Sequence, residues 1–192
     1  MPVRLLRFLA GHYYHLYNRG VNYEAIFFSP DNYTYLLRLL KKRLVCYPMA
    51  VIAYCLMPNH YHFLVKLEQD DTLPQLMRGL FGAYVQALNR QQSRQGPLFQ
   101  GRFRAIMVDE DAYLTHLARY IHANPVVAGL VATPEAWAYS NYQEVVGLRA
   151  GTLCDDTLVP GYFPTGQAYR EFVEDYVAER REVAGLERYL LV

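Results

Sequence analysis

An α+β fold of the ferredoxin-like, RRM-like class is predicted by three features of the chain. Its apolar periodicities run strand, helix, strand, strand, helix, strand, the order of a split β-α-β unit. A tight "PNH" turn interrupts the apolar run "MAVIAYCLMPNHYHFLVKL" and folds it into a hairpin. Hydrophobic residues make up 53% of the chain and charged residues 19%, enough apolar side chain for a sizeable core and too much for a disordered chain. The expected architecture is an antiparallel sheet with helices on one face, a further helix after the fourth strand, and a C-terminal extension.

The segment "HYYHLYNRG" (12–20) alternates and ends at glycine, which reads as the first strand. "SPDNYTYLLRLLKKRLV" opens with Ser29 as N-cap and Pro30 at the first helical position. Its Tyr33, Leu36, Leu37, Leu40 and Leu44 follow a 3.6 period, and Lys41, Lys42 and Arg43 suit the negative end of the helix dipole. The hairpin strands come next and are expected to be central in the sheet. A second helix spans 73–92, with Leu76, Leu80, Tyr84 and Leu88 in one stripe. After a Gly/Pro turn, a fourth strand covers about 102–108. Asp109, Glu110 and Asp111 suit the start of a third helix, which Pro125 is expected to stop. Residues 131–192 hold turn residues, the lone Trp137 and a charged helix at about 166–185. They read as an extension without a core of its own, leaving 1–130 as the main domain.

Net charge is only +1, but it is unevenly spread. Residues 1–108 carry 13 Lys/Arg against five Asp/Glu, whereas residues 130–192 carry five against ten. Between Thr72 and Val108 there are five arginines (Arg78, Arg90, Arg94, Arg102 and Arg104) and no acidic residue. Such asymmetry points to a polyanionic partner for the first half; a solvated basic face is the plain alternative. No Walker-type phosphate loop occurs, so no nucleotide cofactor is expected. Cys46, Cys55 and Cys154 have neither metal-ligand spacing nor an even disulfide count, and no secretory signal is visible. The longest apolar run is about half of a membrane span. A cytoplasmic protein with no membrane partner is expected.

The chemistry is carried by "YCLMPNHYHFLVKL" (54–67), where His60 and His62 project from one face of a strand and Tyr61 from the other. Two imidazoles that close can hold one divalent cation and leave positions open. In "ARYIHANPV", Tyr120 and Asn124 are four apart and share a helical face. The Asn124 carboxamide oxygen is a hard, neutral ligand that completes a His-His-Asn set suited to Mg²⁺ or Mn²⁺, with Tyr120 beside it. Packing accounts for the same residues: strand histidines are often structural, a helix-end Asn caps its own backbone, and Tyr120 is one of 18 tyrosines.

At these residues the chain resembles the HUH-superfamily single-tyrosine transposases, in particular the REP-associated tyrosine transposase branch. The resemblance runs through "YHLYNRGVNYEAIFF", "AYCLMPNHYHFLV", "GPLFQGRFRAIMVDEDAYL", "ARYIHANPVVAGLV" and "WAYSNYQEVVG". It implies that residues 1–130 are the catalytic domain, that His60, His62 and Asn124 hold the metal, and that Tyr120 is the nucleophile. The implied partner is single-stranded or hairpin DNA, and the implied reaction is cleavage and rejoining through a 5′-phosphotyrosine. Transposition, or mobilisation of the REP element, is the implied outcome. A phenol of ordinary pKa, about 10, is ionised about one time in a thousand at pH 7, a deficit of about 4 kcal/mol that a Lewis acid on the phosphate would offset.

Supporting roles follow from position. Tyr113, seven residues before Tyr120, is the rival nucleophile, and His116 is a candidate proton shuttle. Arg102 and Arg104 are candidates for transition-state charge and, with Arg78, Arg90 and Arg94, for phosphate contacts to DNA. Tyr13, Tyr14 and Tyr17 could stack on unpaired bases. Two residues depart from the family pattern: Tyr61 replaces a commoner aliphatic, and Val127 stands where Arg is frequent. A catalytically silent hairpin DNA- or RNA-binding module is the alternative to an enzyme, and the choice between monomer and homodimer is open. A structural zinc protein is disfavoured, since no cysteine has ligand spacing.

Overall fold

The computed structural model of the chain describes residues 7–109, 111–155 and 161–179. Strands β1 (Tyr13–Arg19), β2 (Met49–Met57), β3 (His60–Leu67) and β4 (Arg104–Val108) form one antiparallel sheet in the order β2-β3-β1-β4. Helix α1 (Pro30–Leu44) follows β1 and α2 (Leu73–Gln91) follows β3. After the sheet come α3 (Asp111–Val127), the short α4 (Tyr142–Val145) and α5 (Gly166–Glu179). The α+β order read from the sequence holds, but only one hairpin strand is central. β1 pairs with both β3 and β4, leaving β2 at the edge. A period of two identifies faces; it does not say which strand lies beside which.

Tyr14 and Leu16 of β1 and Tyr61, Phe63 and Val65 of β3 share a core with α1 and α2. Ser29 is the N-cap of α1, and Asn32 Oδ1 accepts the Phe28 and Ser29 amides at 2.9 and 3.2 Å. α2 buries Leu73, Leu76, Met77, Leu80, Tyr84 and Leu88, each apolar side chain worth at most about 1.5–3 kcal/mol. The opposite face, which carries the histidines, is not open as a cleft floor would be. Leu114, Leu117, Ala118 and Ile121 of α3 and Tyr169 and Val173 of α5 pack there with Ala53, Cys55 and Leu64. Those small and apolar strand residues need a cover, and α3 with the extension supplies it.

Pro125 does not stop α3. The helix passes through it to Val127, giving up only the proline's missing donor. The amides of Ala128 and Leu130 close the last turn on the carbonyls of Asn124 and Pro125, both at 2.9 Å, and Gly129 ends it at φ +69°. Asn124 therefore lies inside the helix rather than at its cap.

The extension also protects the free edge of β2. Leu56 N–H donates to the Tyr139 carbonyl (2.9 Å) and the Trp137 indole to the Leu56 carbonyl (3.1 Å), covering groups an edge strand would expose. Asn141 is the buried centre of this seam. Its Oδ1 accepts from Tyr54 N–H at 2.7 Å and lies 2.9 Å from His122 Nε2, and its Nδ2 donates to the Ile52 carbonyl at 3.0 Å. His122 Nδ1 lies 2.7 Å from the Tyr169 hydroxyl, so one network joins β2, α3 and α5.

Burial holds the His122 pKa down to about 4, outweighing the Asn141 hydrogen bond, which favours the charged ring. The unfolded chain takes up this proton near pH 6.5, whereas the folded chain resists until about pH 4. The contribution to stability is thus complete above pH 6.5 and declines between 6.5 and 4, by on the order of 3 kcal/mol. Urea unfolding at pH 7.5 and pH 5 should show a lower midpoint at pH 5; equal midpoints would mean that His122 is not kept neutral.

Candidate active site

β3 presents His60 and His62 towards α3. The register sets them opposite Arg19 and Tyr17 of β1, and residues directly opposed across antiparallel strands share a face. Cys55, His62, Tyr17 and Arg104 therefore form one row across the four strands. His60 is half-buried and His62 fully buried, with ring centroids 5.0 Å apart and planes at 85°. From α3, the Tyr120 ring meets His62 edge-on, centroids 5.6 Å apart at 82°. One turn further on, the Asn124 side chain lies against His60, and its Nδ2 is buried without a partner.

The hydrogen bonds orient both imidazoles. His60 Nδ1 lies 2.7 Å from Asn59 Oδ1, an acceptor, so that contact calls for a proton on Nδ1. His62 Nδ1 lies 2.9 Å from Nε2 of the fully buried His15, and His62 Nε2 is buried with no partner. A proton on His62 Nδ1 satisfies the His15 contact and leaves a lone pair on Nε2. Burial lowers the His60 pKa to about 4, against the Asn124 carboxamide, which favours the charged ring, and with help from the Arg19 charge. Burial, then His15 and His60, drive His62 well below 6.5. Both rings are neutral at pH 7, the form in which imidazole binds a cation.

These donors can take a divalent cation. A buried, partnerless imidazole nitrogen and a carboxamide against the second imidazole are the chemistry such an ion takes. Among the described residues no group of three or more His, Cys, Asp or Glu could hold a metal.

The remaining sequence-derived candidates separate. Tyr113 lies seven residues before Tyr120 in α3, about 10 Å along the helix axis. His116 is turned to the extension, its Nδ1 2.7 Å from Arg119 and its ring 5.4 Å from Phe172. Arg104 is exposed on the histidine face, in the row of His62. Arg78 and Arg102 instead line an open cleft of about 740 Å³ on the α2 side, with Phe81, Phe99 and Tyr61. The departure at Tyr61 is explained there, because its ring stacks on Phe81 at 4.5 Å, away from the histidines. Arg90 is exposed at the end of α2, and Arg94 is half-buried and ion-paired with Glu24 at 3.7 Å. Val127 is exposed. Tyr14 and Tyr17 are buried, and Tyr13 is half-buried under Lys66, so two of the three strand tyrosines have no surface for a base.

Sequence reasoning missed His15, Asn59 and Asn141. Asn59 was within reach, being adjacent to His60. His15 shares a strand face with Tyr17 by parity, but its meeting with His62 depends on the β1–β3 register.

Fold and site together define an α+β protein in which a helix phenol, two strand imidazoles and a carboxamide converge on one face of an antiparallel sheet. The chain belongs to the IS200-like transposase family, which matches residues 9–124. It is 31% identical over 110 residues to a Haemophilus influenzae protein named as a REP-associated tyrosine transposase, covering 52% of this chain and 62% of that relative. In fold it is similar to a REP-associated tyrosine transposase solved bound to a REP hairpin, with a TM-score of 0.64 and 22% identity over 81% of this chain and 94% of the other. No helix among the described residues is long and apolar enough to cross a membrane.

Proposed function

We propose that the chain is a metal-dependent enzyme that cleaves and rejoins single-stranded DNA through a 5′-phosphotyrosine at Tyr120. The observation that carries this reading is the edge-on approach of the Tyr120 ring to His62, whose Nε2 is buried without a partner beside His60 and Asn124. A sheet that only binds nucleic acid needs none of these groups. The DNA is of the hairpin kind, as the hairpin-bound structural relative suggests.

His60, His62 and Asn124 would hold Mg²⁺ or Mn²⁺, which when bound supplies Lewis-acid polarisation of a phosphate oxygen. Tyr120 Oη forms a bond to phosphorus and the P–O3′ bond breaks. The phenolic proton leaves Oη, and the departing oxygen takes up a proton to become a 3′-OH. Rejoining is the reverse: a 3′-OH attacks the phosphotyrosine and the phenol is restored, so no nucleotide is consumed. His15 and Asn59 hold the imidazole orientations, and the cover of α3 and α5 keeps His62 out of water. Arg104, in the same row, is placed to meet the negative charge of a strand on this face.

The test is incubation of the full chain with Mn²⁺ and labelled single-stranded oligonucleotides from the flanks of its own gene, followed by a denaturing gel. A DNA–protein band that survives denaturation and disappears in EDTA is expected. DNA retarded on a native gel, with no such band in any divalent cation, would instead support the silent binding module.

A further inference from the structure

We propose that Tyr23, seated on Arg19 at the lip of the site, is a stacking platform for an unpaired nucleobase next to the phosphate that Tyr120 attacks; this rests on the reading of the site as one for single-stranded DNA. Tyr23 is the most exposed Tyr, Phe or Trp among the described residues, at 61%. It covers no core. The Arg19 guanidinium lies 4.0 Å from its ring centroid, and Arg19 pairs across the sheet with His60. The guanidinium is fixed in turn, since Arg19 Nε donates to Gln100 Oε1 at 2.6 Å.

The backbone beneath the ring is held in a conformation that a tyrosine avoids. Asn22 and Tyr23 are consecutive at φ +54° and +60°, and for an aromatic side chain this region carries a steric cost. The tight path of the loop requires Gly20, because a β-carbon there would collide with the Glu24 carbonyl. Asn59 then joins loop and site: its Nδ2 donates to the Tyr23 carbonyl at 3.2 Å while its Oδ1 accepts from His60 Nδ1 at 2.7 Å. One asparagine thus positions both an imidazole of the site and the strained residue that turns its ring to solvent.

An exposed aromatic face backed by a cation and rigidly tied to a phosphate-handling site matches a base flanking that phosphate. Stacking accepts any base, and the adjoining guanidinium meets the backbone charge. With Tyr14 and Tyr17 buried, Tyr23 offers the aromatic surface those strand tyrosines do not.

The experiment compares wild type with Tyr23→Gly, Tyr23→Phe and Tyr23→Trp. The probe is a single-stranded oligonucleotide from the flank of the gene carrying 2-aminopurine at successive positions, and a fully paired duplex of the same sequence is the control. Glycine suits φ +60°, so Tyr23→Gly keeps the fold, checked by its urea midpoint. It is expected to weaken single-strand binding about tenfold and to abolish 2-aminopurine quenching at one position. Phe and Trp are expected to keep both, and duplex binding to be the same in all four proteins. Single-strand binding by Tyr23→Gly equal to wild type overturns the proposal, as does a Tyr23→Phe as weak as the glycine variant. If the Tyr23 dependence is present but wild type forms no covalent adduct with Mn²⁺, the platform stands and the strand-cleavage reading falls. A wild-type chain that binds no single strand overturns both.

Discussion

Tyr120→Phe is expected to lose covalent attachment to DNA, a drop of at least about a thousandfold, while Tyr113→Phe keeps it. The substitution removes one oxygen and leaves the ring, so the 5.6 Å edge contact with His62 and the packing of α3 persist. Binding of single-stranded DNA should stay within about twofold of wild type, because the phenolic oxygen contributes to bond formation rather than to holding the strand. Quantifying the denaturation-resistant band in Mn²⁺ beside a native binding curve separates the two effects. Tyr113 is about two turns away along α3 and belongs to the hydrophobic cluster beneath. An adduct that persists in Tyr120→Phe, or that vanishes in Tyr113→Phe with binding intact, would move the nucleophile.

Asn141→Ala should cost roughly 3–5 kcal/mol of stability, although the residue is not one of the candidate site residues. The truncation strands three buried groups: the Tyr54 amide, the Ile52 carbonyl and the His122 Nε2 edge, each costing about 1–3 kcal/mol when unpaired. For a chain of this size that is a fall of about 10 °C in Tm. The consequence reaches the site, because Asn141 holds β2 and, through His122, both α3 and the Tyr169 hydroxyl of α5. Urea unfolding of wild type and variant measures it. A loss below about 1 kcal/mol would mean that the three groups find other partners, and the seam would not be what holds the extension down.

Much of this molecule was legible along the chain because the signals are local. The Ser29-Pro30 helix start, the apolar stripes of α1 and α2 and the strand alternation all depend on residues within a turn or two of one another. The spacing of His60 with His62 and of Tyr120 with Asn124 likewise follows from strand and helix periods. Where a local signal competed with a tertiary one, the reading went wrong. Pro125 is a helix breaker by rule, yet α3 runs through it, since packing of Leu117, Ala118 and Ile121 against the sheet outweighs one lost hydrogen bond. The hairpin strands were expected to be central, but β1 returns beside β3 and displaces β2 to the edge.

The sequence by itself determined the order of elements, the face that each candidate residue occupies on its own strand or helix, and the family. Those are properties of short range or of motifs in order. Only the tertiary structure decided that α3 lies over the histidine face, so that Tyr120 meets His62 and Tyr113 does not. It also decided that His15 backs His62, that Arg104 and Arg102 part to opposite sides of the sheet, and that Asn141 ties in the extension. Each of these depends on strand register or helix placement, and both are settled by which apolar faces bury one another across many residues of separation. No period within a single segment encodes that choice.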